Sequence, residues 1–283
     1  MRPADARTDS TAVGESCLFG AMPPLAQQPD TTADPVRGKT RPAALSLLFP
    51  AGARPDAERI APLLDAPETG LQARVVHRPD PGEGWLEILA SGLTFDLCGL
   101  APAAGAAPAA ARHLYGFDGG RAPAGAEAIE LVPSGHVAAG AGLQPVVRTM
   151  MGLAAALALE LPAIAVGWRP AGTLMEPRYF SRIIVGWLAG GAFPALGLTA
   201  LAPDKDGGVS SFGLSYFIGQ EIRLDPQAGE PPVEAVKLAI RVVDDLVRNG
   251  SLSEPRAITV GADRLLAEPS RVGDLIWVWR QAR

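Results

Sequence analysis

The chain has 283 residues, of which 48% are hydrophobic and 19% are charged, and its formal net charge is −5. No run of lysine and arginine exceeds two residues, whereas proteins that bind nucleic acid through its phosphates normally carry a concentrated basic face. The composition therefore argues against nucleic acid as a partner. The two cysteines, Cys17 and Cys98, form neither a disulfide framework nor a zinc-binding spacing, so we expect no metal and no cofactor.

Residues 1–42 are rich in proline and alanine and are predicted to form a disordered tail, because such a segment buries too little apolar area to offset the entropy of ordering. Within this tail, residues 17–22 form a short apolar patch that either docks on the chain's own domain or on a partner, or is a plain spacer. The first ten residues lack the apolar core of a secretory signal. The uncharged run 149–159 is shorter than the roughly 20 residues of a membrane-spanning helix. We therefore expect a cytoplasmic protein that does not contact a membrane.

Residues 43–100 are predicted to form an N-terminal half with the order β-α-β-β-β. Its first strand covers residues 45–49, and Pro55 suits the first position of the helix that follows. A second strand is expected at residues 72–77. Two alternating runs, 85–89 and 93–97, flank a Ser-Gly pair, and this pattern predicts a hairpin.

Residues 101–126 are rich in alanine, proline and glycine and are predicted to be a linker or loop, followed by a C-terminal half at residues 127–283. In this half, strands are expected at 128–132, 163–168, 195–201, 209–217, 221–224, 256–260 and 274–279, and helices at 145–160, 173–188 and 233–249. This order predicts an α+β fold with helices packed on a mixed, largely antiparallel sheet. Because each half begins with a strand and a helix and continues with adjacent strands, the chain also suggests two pseudo-repeated βα-βββ halves.

The C-terminal half carries several motifs that resemble a known family. They are the strand at residues 163–168, the segment Glu-Pro-Arg-Tyr-Phe at 176–180, the Phe-Gly pair at 212–213 and the run Phe-Ile-Gly-Gln-Glu-Ile at 217–222. From residue 129 to its end, the chain resembles the bacterial domain-of-unknown-function 4261 family. This resemblance implies a protein from bacterial immunity or secretion-associated gene neighbourhoods, and it implies no particular chemistry.

Aromatic and arginine side chains point to a binding surface in the same half, because these residue types are enriched at protein interfaces. Trp168 and Arg169 end a buried strand, and other residues are predicted to converge on that edge. The predicted surface consists of Trp168, Arg169, Tyr179, Arg182, Tyr216, Gln220 and Glu221. On the last strand, Trp277 and Trp279 alternate with Ile276 and Val278, so that the tryptophan face either covers a helix or meets a partner.

The sequence offers only weak candidates for catalysis or for metal and phosphate binding. His136, beside Ser134 in a loop, is the best placed of the histidines, and Glu176 and Glu221 are carboxylates suited to acid–base work. The Asp-x-Asp-Gly-Gly turn at 204–208 resembles the start of a calcium loop, but Ser215 stands where such a loop requires Glu. Gly213 and Gly219 belong to no phosphate-binding motif.

Three hypotheses about function follow from these observations. The first, which we favour, is a non-catalytic protein-binding factor of the immunity type or a secretion-associated accessory protein. The second is a hydrolase or transferase with an unfamiliar site built from His136, Glu176 and Glu221. The third is a sensor of a small ligand, with a pocket between the two halves near Trp168 and Tyr216.

Overall fold

The computed structural model describes residues 44–65 and 72–281. The predicted tail, its apolar patch at residues 17–22 and Cys17 lie outside the described residues. Two mixed sheets and several helices make up the described part, and ten of the twelve strand pairings are antiparallel. The predicted α+β fold with a largely antiparallel sheet is confirmed.

The first sheet has eight strands in the order β2-β3-β4-β6-β1-β7-β8-β5. Its strands are β1 Leu45–Pro50, β2 Ala73–His77, β3 Trp85–Ala90, β4 Leu93–Cys98, β5 His113–Tyr115, β6 Ala126–Pro133, β7 Ala165–Trp168 and β8 Thr173–Met175. Only the pairing of β5 with β8 is parallel. The sheet draws strands from both predicted halves, so the boundary expected at residue 127 falls inside one sheet.

Three helices pack on one face of this sheet: α1 Ala57–Asp65, α2 Gln144–Glu160 and α3 Pro177–Leu188. Alternate strand residues such as Leu47, Ile129 and Val166 point to that face and join one core with the apolar sides of the helices. Helix α2 and helix α3 are in direct contact, and the Ser181 hydroxyl donates to the Ala155 carbonyl at 2.8 Å. The predicted helix at 145–160 is confirmed. The helix predicted at 173–188 begins only at Pro177, because residues 173–175 form strand β8.

The segment predicted to be a linker, residues 101–126, packs on the opposite face of the sheet. Ala106 exchanges two backbone hydrogen bonds with Ala128, at 2.9 and 3.2 Å. Leu114 and Phe117 join a small apolar cluster with the sheet residues Leu48, Ala128, Ala165 and Leu174. The segment is therefore a covering loop that also contributes β5, because Ala106, Leu114 and Phe117 shield an apolar patch which would otherwise face water.

The second sheet has six strands in the order β12-β13-β14-β11-β10-β9. Its strands are β9 Ala200–Pro203, β10 Val209–Phe212, β11 Glu221–Leu224, β12 Arg256–Val260, β13 Asp263–Pro269 and β14 Leu275–Arg280. Helix α6, Pro232–Asn249, packs on one face of it. The helix predicted at 233–249 is confirmed. Its buried stripe is centred on Ala239, Val242 and Leu246, whereas Val233 in the first turn is 62% exposed.

Three local predictions in the second sheet differ from the structure. The strand expected at 195–201 begins only at Ala200, after the helical turn α4, Ala195–Leu198. The strand expected at 209–217 ends at Phe212, and a short helix α5, Ser215–Ile218, follows. Gly213 has φ +86° at this break, a conformation that favours glycine. Strand β13, which lies between the strands predicted at 256–260 and 274–279, was not predicted from the sequence.

Candidate functional site on the six-stranded sheet

The six-stranded sheet presents one face to helix α6 and carries an unusual pair of side chains on the other. Ile276 and Val278 of β14 are fully buried in the core with α6. Trp277 and Trp279 alternate with them and therefore lie on the opposite face, where both are partly exposed. We call this side of the sheet the tryptophan face; it is formed by Ser210, Arg223, Leu266, Glu268, Trp277 and Trp279.

The two indoles of the tryptophan face stack on each other. Their ring centroids are 5.6 Å apart and their planes are inclined by only 12°. On the neighbouring strand β13, Leu266 lies opposite Trp279 and Glu268 lies opposite Trp277. The result is a flat, rigid aromatic surface with an aliphatic side chain at one end and an exposed carboxylate at the other.

Arg223 closes the other side of this surface. Because β11 runs parallel to β14, Arg223 lies beside Trp277, and its guanidinium carbon is 5.3 Å from the centroid of that indole. The same guanidinium donates from Nε to Asp204 Oδ2 at 3.1 Å and forms an ion pair with Asp206 through Nη2. Arg223 is thus held between an aromatic ring and two carboxylates, a cation–π arrangement that fixes its position.

The two carboxylates belong to the turn between β9 and β10, which the sequence predicts as a tight turn at residues 204–208. Asp204 N–H donates to the Gly208 carbonyl at 2.7 Å, and the Ser210 hydroxyl donates to Asp204 Oδ2 at 2.7 Å. The turn prediction is confirmed. Both carboxylates form ion pairs with Arg223. Among residues 44–65 and 72–281, no group of three or more acidic, histidine or cysteine side chains is arranged to hold a metal ion.

Hydrogen bonds and opposite charge keep both Arg223 and Asp206 ionised beside the tryptophan face. The Gly208 N–H, which donates to Oδ1, and the Arg223 guanidinium together hold the pKa of Asp206 below its usual value. The hydrogen bond to Asp206 raises the pKa of Arg223 in turn. Arg223 and Asp206 therefore form a charged pair at neutral pH.

The structure places two members of the predicted binding surface in the interior. Trp168 is 1% exposed, and its Nε1–H donates to the Leu198 carbonyl at 2.7 Å. Gln220 is 4% exposed, and its amide exchanges hydrogen bonds with the Leu252 backbone at 2.7 and 2.9 Å. Neither side chain lines an accessible surface, so this part of the surface prediction is wrong. Both side chains are covered by segments that are distant in sequence, around Leu198 and Leu252.

Tyr216 packs against the buried Trp168 instead of lining an open pocket. The ring centroids of Trp168 and Tyr216 are 4.9 Å apart in an edge-to-face arrangement, and Phe217 lies 5.9 Å from Trp168. The Tyr216 hydroxyl donates to the Ala141 carbonyl at 3.2 Å. Aromatic rings fill the place where the third hypothesis put a ligand pocket.

Arg169, Tyr179 and Arg182 lie elsewhere, around the eight-stranded sheet. Arg169 is 3.4 Å from the Glu130 carboxylate. The Tyr179 ring stacks on Tyr115 with a centroid distance of 6.0 Å, and the Arg182 guanidinium lies 5.4 Å from the Tyr179 centroid. Burial raises the pKa of the Tyr179 hydroxyl. The predicted surface residues are thus distributed over both sheets.

Glu221 lies in a cradle of hydrogen-bond donors at the break between β10 and α5. Its carboxylate accepts from the N–H groups of Gly213, Leu214 and Ser215 at 2.8, 3.2 and 3.0 Å. The hydroxyls of Ser211 and Ser215 also donate to it, at 2.5 and 2.7 Å. This carboxylate fixes the chain reversal, which explains why the strand predicted at 209–217 ends early.

The three residues predicted as a catalytic set, His136, Glu176 and Glu221, have separate places in the structure. Glu176 caps helix α3, and its carboxylate accepts the Tyr179 N–H at 2.7 Å. Glu221 fills the cradle just described. His136 is exposed in the loop after β6. In the described part of the chain, no hydrogen bond links any two of these side chains, so the structure offers no proton relay among them.

Comparison with known proteins finds no family model, no curated protein and no solved structure that matches this chain. The resemblance to the domain-of-unknown-function 4261 family stays a prediction. Among residues 44–65 and 72–281, no helix combines the length and the apolar character needed to cross a membrane.

Proposed function

We propose that this protein is a non-catalytic protein-binding factor and that it contacts its partner through the tryptophan face. The observation that carries the proposal is the stacked, partly exposed pair Trp277 and Trp279 on the side of the six-stranded sheet away from α6. Tryptophan and arginine dominate the binding energy of protein interfaces. The tryptophan face carries both residue types, and none of them is buried in the core. Its composition is therefore that of the centre of a protein interface.

The tryptophan face is organised before any partner binds. The stacked indoles restrict each other's rotation, and Arg223 is held by Trp277, Asp204 and Asp206. Side chains that are already ordered lose little conformational entropy on association. Rigid aromatic contacts of this kind favour a specific partner.

The chemistry of the rim indicates what the partner presents. Glu268 is exposed, and in the described residues it has no hydrogen-bond or ion-pair partner. Phe212, near the far edge of the same sheet, is 46% exposed. We infer a protein surface with an apolar or aromatic side chain above the indoles and a basic residue opposite Glu268. A cytoplasmic bacterial role in immunity or as a secretion-associated accessory protein belongs to the same proposal and is supported by the sequence resemblance.

Affinity capture of the tagged full-length chain from its host, followed by mass spectrometry, tests the proposal. We expect one stoichiometric partner. Trp277→Ala and Trp279→Ala should each weaken its binding by about tenfold or more, since truncating a central aromatic residue costs about 2 kcal/mol or more.

Two further variants control for folding and for position. Trp85→Ala removes a partly exposed tryptophan from the eight-stranded sheet and should leave the affinity unchanged. Glu268→Arg reverses an exposed charge without touching the core and should weaken binding. The proposal is wrong if no specific partner is recovered, or if the partner binds Trp277→Ala and Trp85→Ala equally well.

A further inference from the structure

A row of apolar side chains crosses three strands in the middle of the uncovered side of the six-stranded sheet. Ala257 of β12 lies opposite Leu266 of β13, and Leu266 lies opposite Trp279 of β14. These side chains point away from α6, because the residues that alternate with them, such as Leu265 and Val278, are buried in the core. None of the three is itself buried. The row therefore gives the tryptophan face an apolar centre.

Two opposite charges flank this apolar row on strand β13. Arg264 lies two residues before Leu266 and Glu268 lies two residues after it, so the three side chains share one side of the strand. Each charge is thus displaced by about 7 Å from the row, in opposite directions along the strand. Both charged residues are exposed, and no described residue forms a hydrogen bond or an ion pair with either side chain.

This arrangement is complementary to itself under a two-fold rotation. An axis that runs along the apolar row places β13 of one copy antiparallel over β13 of a second copy. Leu266 then meets Leu266, Trp279 meets Trp279, and Arg264 of each copy faces Glu268 of the other. Sheets that pack face to face lie about 10 Å apart, a gap that the long side chains of tryptophan and arginine fill from both sides.

The charges also exclude the other symmetric way to stack the two sheets. A two-fold axis parallel to β13 would place Arg264 over Arg264 and Glu268 over Glu268. Like charges brought together at an interface are strongly unfavourable. The exposed charges therefore select the packing in which the two copies of β13 are antiparallel.

We propose that the partner of the tryptophan face is a second copy of this chain, and that the two copies form a symmetric dimer with their six-stranded sheets face to face. This inference rests on the proposed function, since it names the partner of the same surface. A second copy supplies an indole above the indoles and a basic residue, Arg264, opposite Glu268. Closed two-fold dimers, in which one patch serves both subunits, are the commonest oligomers of soluble proteins.

The mass of the full-length chain in solution tests the dimer. Sedimentation velocity between about 1 and 200 µM covers micromolar dissociation constants, and we expect twice the mass of one chain at the upper end. Trp279→Ala should raise the dissociation constant by about a hundredfold, because a central tryptophan worth about tenfold or more is lost from both copies. Capture of a tagged copy should also recover an untagged copy expressed beside it.

Charge reversal tests the antiparallel packing directly. Arg264→Glu leaves only acidic side chains at the two facing positions, and Glu268→Arg leaves only basic ones. Each variant alone should therefore dimerise at least about tenfold more weakly than the wild type. An equimolar mixture of the two variants should recover dimers, because every acidic position then faces a basic one. A role of these residues in folding alone would give no recovery on mixing.

Arg241→Glu is the matched control for charge reversal. Arg241 is exposed on α6, which packs on the opposite face of the same sheet. This variant makes the same change of charge as Arg264→Glu and should keep the dissociation constant of the wild type.

The inference and the proposed function fail in different ways. The dimer is overturned if the chain stays monomeric over this concentration range, if Trp279→Ala leaves dimerisation unchanged, or if mixing the two charge variants recovers no dimers. The proposed function still stands in these cases if capture from the host recovers a different protein that Trp277→Ala releases. If capture recovers no partner either, both are overturned.

Discussion

The cradle around Glu221 makes a sharp prediction about stability. Glu221→Ala removes the acceptor of three backbone N–H groups and two hydroxyls at once. Gly213 and Leu214 are buried, so their N–H groups lose their partner in the protein interior, whereas Ser215 is exposed and can bond to water. An unsatisfied buried donor costs about 1–3 kcal/mol, so the two buried N–H groups alone predict a loss of about 2–6 kcal/mol in the free energy of unfolding.

Urea denaturation followed by tryptophan fluorescence measures this loss. With a denaturant slope of about 3 kcal/mol per molar, the expected loss lowers the urea midpoint by about 0.7–2 M. The free energy of unfolding of Glu221→Gln should lie between those of the wild type and the alanine variant. An amide retains one acceptor oxygen but turns its own N–H groups toward the donors. Glu268→Ala, a loss of an exposed carboxylate on the same sheet, should change the stability by less than about 0.5 kcal/mol.

The outcome for Glu221→Ala decides whether the cradle stabilises the fold. A stability within about 0.5 kcal/mol of the wild type would refute the reasoning, since such a result means that water replaces the carboxylate without cost. A change in the denaturant slope alone would also contradict it, because the slope reports the surface exposed on unfolding and not the strength of these hydrogen bonds.

Two more predictions concern the interior and the turn. Trp168→Phe should lower the free energy of unfolding by about 1–3 kcal/mol, because the Leu198 carbonyl loses its donor in a buried position; an unchanged urea midpoint would contradict this. The pKa of Asp206 is lowered in the folded state, so its ionised form adds stability above the usual Asp value of 3.8 and loses it as the pH falls through the lowered pKa. The difference in urea midpoint between wild type and Asp206→Asn should therefore be full near neutral pH and shrink in acid, and a constant difference would show that Asp206 has no such role.

Local patterns were sufficient to predict much of the secondary structure. The alternation in residues 85–89 and 93–97 predicted β3 and β4, and the glycine-rich turn at 204–208 predicted the reversal between β9 and β10. Helix α6 was predicted from the helical spacing of its apolar residues. These features depend on side-chain periodicity and turn preferences, which act within a few residues.

The sequence by itself also determined that Trp277 and Trp279 share one face of the last strand, because side chains alternate along any strand. Only the tertiary structure decided what that face meets. The parallel pairing of β11 with β14 brings Arg223 beside Trp277, and α6 packs on the opposite side. Pairing register and the choice of covered face depend on contacts between distant segments, which local pattern does not record. For the same reason the sequence did not reveal that Trp168, another strand-end tryptophan, is buried under the turn at residues 195–198.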